Sequence, residues 1–466
     1  MKKIYLIFTL FVLMFVFFGC FGCNKDSSKQ NDDSKNNSEP SLKFTIMSNG
    51  EYEVTGIGTI KDSDVIIPET YKGKKVSRIG HNAFKNCTSI TSISIPNSVN
   101  NLGWSVFEGS SIVKIEIPST INFFPSYSFN MCYNLNEVYY NGTIEEWCNI
   151  EFEEGFSSPM IYATKFYLKN EANSWEEVKE IVVPSTISKI GYGQFRGFKN
   201  VTKVTLPDSV EIIGSGAFFE CVNLQSIRLS SNLNKIEDTA FYSCVKLTEI
   251  TIPNTVTYIG SHAFYSCIGL KDVVVPLSVE EIGKGAFGSC TNLESIIIPF
   301  VGNGSTMNHF GYIFGSDLLY MDGYYDNHAY VPHSLKKVII TGGTKISQYA
   351  FANCEYIETI EMSDTVKSIE KGAFSCCSAL ENIKLSNTLE VIKTKAFNYC
   401  QNLKTIFIPK SVSSIEYLTF SVCFDLTVLC EHTSIPTTWD EYWNGVDFMI
   451  NNKIPTCKYS LGCTQK

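Results

Sequence analysis

The sequence predicts a β-rich repeat solenoid of about twelve stacked coils, each roughly 23 residues long, with an N-terminal β-hairpin cap and two insertions of about 42 residues. Three observations predict it. Cys221, Cys244, Cys267 and Cys290 fall 23 residues apart, as do Cys354, Cys377, Cys400 and Cys423, so two separate blocks keep one period. A Phe lies three residues before each of these Cys, and Phe84, Phe107, Phe129 and Phe195 fill the same slot, which brings the copies to twelve. Three residues after the Cys, Leu or Ile leads into alternating apolar residues that end in Pro, as in Ile250-Thr251-Ile252-Pro253.

The alternating stretch is a short strand with one face inward, the Pro ends it, and the Val-x-x-Ile-Gly that follows turns the chain back. A single coil cannot bury its Phe, Leu and Ile alone. Neighbours must therefore stack, with the inward Phe, Leu and Cys each forming a column. A fixed period also overrides the usual allowance of about 100–200 residues per domain, because one solenoid can run through most of a 466-residue chain.

The elements follow in chain order. Residues 1–23 read as a signal peptide, with Lys2 and Lys3 ahead of the uncharged run Ile4 to Phe18. Its end, Phe17-Phe18-Gly19-Cys20 and then Phe21-Gly22-Cys23, resembles a bacterial lipobox, in which a Cys is acylated and becomes the new N-terminus. Cys20 fits that position, having Phe17 three residues before it, and Cys23 is the alternative. Plain cleavage with release, or retention of the run as a single anchor, are the competing readings. Residues 24–41 lack aromatic and β-branched side chains and form a linker that cannot collapse into a core. Residues 42–75 hold Asn49-Gly50 between alternating segments, the mark of a hairpin capping the first coil's open edge. The solenoid spans 76–431, and 432–466 form a C-terminal cap in which Trp439 and Trp443, four apart, could share a helical face.

The insertions interrupt the beat twice. Phe129 to Phe195 is 66 residues, or 23 plus 43, and Cys290 to Cys354 is 64, or 23 plus 41. The first, about 138–180, keeps alternating strand character. The second, about 300–335, is rich in Gly and Tyr and reads as a loop crossing a surface, where binding residues commonly sit. Tyr312, Tyr320, Tyr324, Tyr325 and Tyr330 are its candidate contact residues, since Tyr offers a large rigid contact area.

The recurring I-G-x-x-A-F-x-x-C-x-x-L-x-x-I-x-I-P-x-S-V resembles the leucine-rich repeats of BspA-type surface proteins, over about Leu42 to Glu431. Ser110 and Phe198 depart from it at the Cys, and Ser230, Ser363 and Ser386 at the Pro. The resemblance implies leucine-rich-type coils and a role in binding or adhesion, with an extracellular or host protein, matrix component or glycan as partner. Together with the export signal it implies a chain lipid-anchored at the outer face of the cell membrane or cell surface. A structural envelope component is the alternative, and an extracellular enzyme with its site in an insertion is a third class.

Charge and motifs narrow the chemistry. The net charge is -9, from 38 Lys plus Arg against 47 Asp plus Glu, and without a cationic run nothing favours a nucleic-acid partner. No G-x-S-x-G, H-E-x-x-H or phosphate-binding Gly loop occurs, so the reading is of a non-enzyme without cofactor or metal. His309, His328 and His333 with Asp317, Asp322 and Asp326 read as a solvated polar loop before a cation site. Glu145, Glu146, Glu151, Glu153 and Glu154 lack the order that wraps oxygens around calcium. A Cys repeating once per coil at an inward slot reads as a free buried thiol behaving as a small hydrophobe. Cys148, Cys376, Cys430, Cys457 and Cys463, off that ladder, are the disulfide candidates.

Overall fold

A computed structural model describes residues 41–316, 327–432 and 434–444, and the backbone of 456–459. The signal peptide, the linker and the lipidation candidates Cys20 and Cys23 lie outside the described residues, as do Tyr320, Tyr324 and Tyr325. The rest is a leucine-rich repeat β-solenoid of about 16 turns at a spacing of ~23 residues.

Most turns contribute two short parallel strands, although the alternating run Ile250-Thr251-Ile252 forms none and the first column breaks there. In one column Glu180–Val182, Lys203–Thr205 and Ser226–Arg228 pair in register, each residue opposite the one 23 positions on. In the other, Lys189–Ile190, Ile212–Ile213, Lys235–Ile236, Tyr258–Ile259 and Glu281–Ile282 do the same. Alternate residues turn inward, so Val204, Ile213, Ile227 and Ile236 are buried while Lys203, Lys235 and Arg228 face solvent.

The turn arm that carries the Phe closes each coil without regular secondary structure. Its amides alternate: Phe218 N donates to Ala240 O of the next coil at 2.8 Å, and Cys221 N returns to Phe218 O at 3.2 Å. That alternation rests on a left-handed residue on either side of the Phe, two before it and two after it. Thr239 (φ 54°) and Ser243 (φ 58°) flank Phe241, and His262 (φ 55°) and Ser266 (φ 58°) flank Phe264. Only Gly enters this region without cost, and Gly216, Gly285 and Gly372 hold the first slot in other coils.

The Phe side chains form the predicted column. Phe218, Phe241, Phe264 and Phe287 stack face to face at 5.3, 5.2 and 5.5 Å, and Phe351, Phe374, Phe397 and Phe420 at 5.3, 5.1 and 5.3 Å. The Cys ladder does more than fill space. Cys244, Cys267 and Cys290 each donate the thiol hydrogen to the Phe carbonyl of the preceding coil, at 3.2, 3.1 and 3.2 Å. An inward small hydrophobe thus also satisfies a buried backbone acceptor.

The turn count exceeds the twelve copies counted along the sequence because that count required a standard arm. Two arms keep the beat with different residues. Phe310 lies 23 residues after Phe287 and packs 4.7 Å from Phe351, its N–H donating to Ala350 O at 2.8 Å. The Phe310–Phe314 3-10 turn is therefore core, and the second insertion begins after it. Trp443 lies 23 residues after Phe420, meets it edge-on at 5.9 Å and accepts its N–H at 3.2 Å. Trp439 and Trp443 are both buried in turns and share no helical face; their segment is one more arm.

The first insertion builds a wider coil. Glu137–Asn141 and Lys165–Lys169 join the first strand column, and Glu151–Phe152 pairs with Phe123–Phe124 in the second. Between them the helix Ile144–Cys148, started by a Thr143/Glu146 capping box, drops Trp147 into the core. The Trp147 indole donates to Gln194 O at 2.9 Å and meets Phe166 and Phe198 edge-on. Phe198 replaces the usual Cys because this coil is wider and must be filled. Strand Trp175–Glu177 then folds back antiparallel on Lys165–Lys169 and interrupts the parallel column. At the N-terminal end Lys43–Ile46 pairs antiparallel with Tyr52–Gly56 around Asn49-Gly50.

Candidate contact surface

Although Tyr349 and Leu418 are buried in the same slot, most left-handed arm residues point outward on either side of the buried Phe. In most coils they are small or polar. From Trp104 to Tyr192 they and their neighbours are large and apolar: Trp104, Tyr127, Met131, Tyr133, Phe156 and Tyr192 are all exposed, Trp104 by 60% and Tyr133 by 73%. Main-chain bonds put these residues side by side. Ser105 N donates to Ser126 O at 3.1 Å, and Phe129 N to Phe156 O at 3.2 Å, linking three successive arms. Tyr162 OH accepts from Met131 N at 3.2 Å while its ring meets Tyr133 at 5.3 Å, and Lys199 Nζ reaches Ile161 O at 2.9 Å, tying in the arm that carries Tyr192. The strip is an aromatic face across consecutive coils, larger in character than the scattered exposed apolar residues elsewhere.

Its support is rigid. Trp104 packs on His81 at 4.9 Å, its N–H donating to His81 Nδ1 at 2.9 Å. Glu153 and Glu154 accept the N–H groups of Ser126 and Tyr127 at 2.7 and 2.8 Å, so these carboxylates hold the arm in place. Burial raises the Tyr162 phenol above its ordinary range, keeping it neutral as the acceptor for Met131. Beside the strip, the Arg196 guanidinium lies 4.1 Å over Phe219, which starts a second ladder through Tyr242 and Tyr265 at 4.6 and 5.0 Å.

Of the five Tyr candidates, the described ones, Tyr312 and Tyr330, are half-buried and packed against the core. They flank Asn327, a buried side chain that accepts from Gly311 N at 2.7 Å and donates to Ala350 O and Ala352 O at 3.3 and 2.8 Å. His328 and His333 come together, 6.1 Å apart ring to ring and both stacked on Tyr356 at 5.8 and 4.0 Å, with His328 Nδ1 3.2 Å from Glu355, whereas His309 is fully buried. Among the described residues no group of three or more His, Cys, Asp or Glu is placed to hold a metal ion. Burial pushes the Cys221 and Cys290 thiols up to about 12, and two disulfide candidates, Cys148 and Cys376, are free. Cys148 ends the short helix, buried and with its thiol raised to about 12, and Cys376 occupies a left-handed arm position facing Ser375 at 3.7 Å; neither forms a disulfide.

Sequence reasoning searched the insertion and overlooked the strip. The signal was present: within I-G-x-x-A-F-x-x-C, the variable positions turn aromatic or Met in Trp104, Tyr127 and Met131, side by side in two consecutive copies. Recognising them as surface required the stacked arms.

Stacked coils with an outward aromatic strip define a repeat scaffold of the leucine-rich class. The profile of the BspA type leucine rich repeat region matches residues 63–162, 167–299 and 325–439 in six copies, and the chain belongs to that family. Among solved structures it is similar to a leucine-rich repeat protein from Bacteroides ovatus, at 29% identity over 84% of this chain and 94% of that one, with a TM-score of 0.60. A leucine rich cell surface protein from Faecalibacterium prausnitzii is 20% identical over 84% of this chain and 87% of that one, with a TM-score of 0.28. A leucine-rich repeat protein from Eubacterium ventriosum is 17% identical over 86% and 95%, with a TM-score of 0.33. No curated protein matches the chain.

Proposed function

We propose that the chain is an exported cell-surface protein, anchored by a lipid on Cys20 or Cys23, that binds a partner protein through the Trp104–Tyr192 aromatic strip. The strip is the observation that carries this reading. Trp, Tyr and Met are the residues enriched where protein interfaces bury their centres, and here they stand on rigid arms that lose little freedom on contact. Family membership supports a binding role for the repeats, and the apolar run ahead of Cys20 supports export.

The test is binding of the full chain, displayed on cells, to arrayed host and matrix proteins and to glycans. Trp104→Ala and Tyr133→Ala are expected to weaken the bound protein partner by about tenfold or more each, the scale of an interface anchor, while the thermal transition stays put because both side chains are exposed. Unchanged binding by both would refute the strip as the contact face. A Tyr320→Ser/Tyr324→Ser/Tyr325→Ser variant asks the same of the second insertion, and binding confined to glycans would replace the protein partner. Cys20→Ser, Cys23→Ser and the double variant, with mass spectrometry of the mature N-terminus, identify the anchor.

A further inference from the structure

A second feature, apart from the aromatic strip, lies where the parallel column is interrupted. Strand Lys165–Lys169 has the antiparallel strand Trp175–Glu177 beside it, and the column restarts with Glu180–Val182. Neither Trp175–Glu177 nor Glu180–Val182 pairs with the other, so both are sheet edges. Alternation decides which groups they leave open. Val178 N donates to Phe166 O at 2.8 Å, so the main chain of Glu176 faces Lys165–Lys169 and that of Trp175 and Glu177 faces away. Lys179 O accepts from Thr202 N at 2.8 Å and Val183 N donates to Thr205 O at 3.0 Å, so the N–H and C=O groups of Glu180 and Val182 face away from the next coil. A groove of about 420 Å³ lies between Lys165–Lys169 and the start of the second edge, its walls including Leu168, Asn170, Glu176, Val178, Lys179 and Glu180, and the open edge runs on from it to Val182.

We infer that this groove takes an extended peptide segment of a partner protein, which adds a strand along the open edge of Glu180–Val182. Only an extended polypeptide offers N–H and C=O groups alternating at the strand spacing that these open groups require. No Pro stands on the edge, Glu180 is the one charged residue in the strand, and Val182 beyond it is 67% exposed. The charge of the walls states a preference. Glu177 pairs with Lys179 at 4.0 Å and Glu180 with Lys203 at 3.5 Å, while Lys169 lies 5.0 Å over the Trp175 ring, leaving Glu176 to favour a basic residue in the peptide. Leu168 and Val178 favour an apolar residue beside it.

The full chain panned against a phage-displayed random dodecapeptide library tests this. Enriched peptides are expected to alternate β-branched or aromatic residues with polar ones and to carry Lys or Arg. Val182→Pro removes an outward N–H without touching the ladder to Lys203–Thr205, and it is expected to weaken the peptides by about tenfold, the scale of one or two lost hydrogen bonds, while Val182→Ala binds as before. Glu176→Lys is expected to reverse the preference for basic peptides. Should Val182→Pro fail to fold, N-methylation along one enriched peptide gives the same information on the unaltered protein: alternate amides are expected to abolish binding and the intervening ones to tolerate it. The absence of enriched peptides, equal binding to a folded Val182→Pro variant, or indifference to N-methylation at every position would each overturn the inference. None of these outcomes bears on the strip, whose variants are scored against a different face.

Discussion

Replacing Phe241 by Ala isolates the energy of the aromatic column. Phe241 is fully buried and stacks on Phe218 at 5.3 Å and Phe264 at 5.2 Å, so truncation removes contacts in two directions and leaves a void between them. Buried Phe→Ala changes cost ~3–5 kcal/mol, and a ring stacked on both sides belongs near the middle, about 4 kcal/mol. Hydrogen bonding across the arm should survive, because Phe241 N, which donates to Ala263 O at 2.7 Å, and Phe241 O, which accepts from Cys267, are both main chain. In a stack where each coil touches only its neighbours, the loss should be felt locally and fade along the array. Amide hydrogen exchange read by mass spectrometry is then expected to rise by about 10³ in the coils around 218–264, at ~1.4 kcal/mol per tenfold, and little in the coils around 397–420. Phe84, whose one Phe neighbour in the column is Phe107 at 5.7 Å, should give a smaller effect. A uniform rise along the whole chain would refute nearest-neighbour energetics, and a change below tenfold would refute the column as the main source of cohesion.

Other expectations follow from the thiols, the arms and the second insertion. Burial raises the Cys221 and Cys290 thiols from 9.0 to about 12, so their stabilising neutral form is intact below pH 9 and is lost as pH climbs from 9 toward 12. Urea unfolding at pH 8 and pH 10 should show a loss about 3 kcal/mol larger in the native protein than in a Cys221→Ala/Cys290→Ala variant, from ~1.4 kcal/mol per thiol per pH unit; equal losses would contradict the burial argument. Val422 holds a β-branched side chain at φ 62°, in a slot that Gly109 and Gly197 fill elsewhere. Val422→Gly should raise stability by ~0.5–1 kcal/mol in thermal unfolding, the left-handed penalty of ~1–2 outweighing the entropy that Gly adds to the unfolded chain. Asn327→Ala removes a partner from Gly311 N and Ala352 O, while Ala350 O keeps the Phe310 N–H, and should cost about 2 kcal/mol, with faster amide exchange at Gly311. Unaltered exchange there would show that Asn327 does not pin the arm.

The primary sequence alone determined the repeat, because a 23-residue beat of inward Phe, Leu and Cys has one way to bury its side chains, coil upon coil. The hairpin and most strand positions were legible for the same reason, since alternation and Asn49-Gly50 act over a few residues, although Ile250-Thr251-Ile252 alternates and forms no strand. The tertiary structure decided what depends on neighbours in space. Phe310 and Trp443 belong to the column through contacts with Phe351 and Phe420, although their flanking residues disguise the pattern. The S–H bonds from the ladder Cys to the preceding coil, and the wide coil filled by Trp147 and Phe198, appear only when coils are stacked. The candidate contact face is of the same kind. Trp104, Tyr127 and Met131 look like core residues in a chain that is 44% hydrophobic, and only the stacked arms around Phe107 and Phe129 show them facing outward.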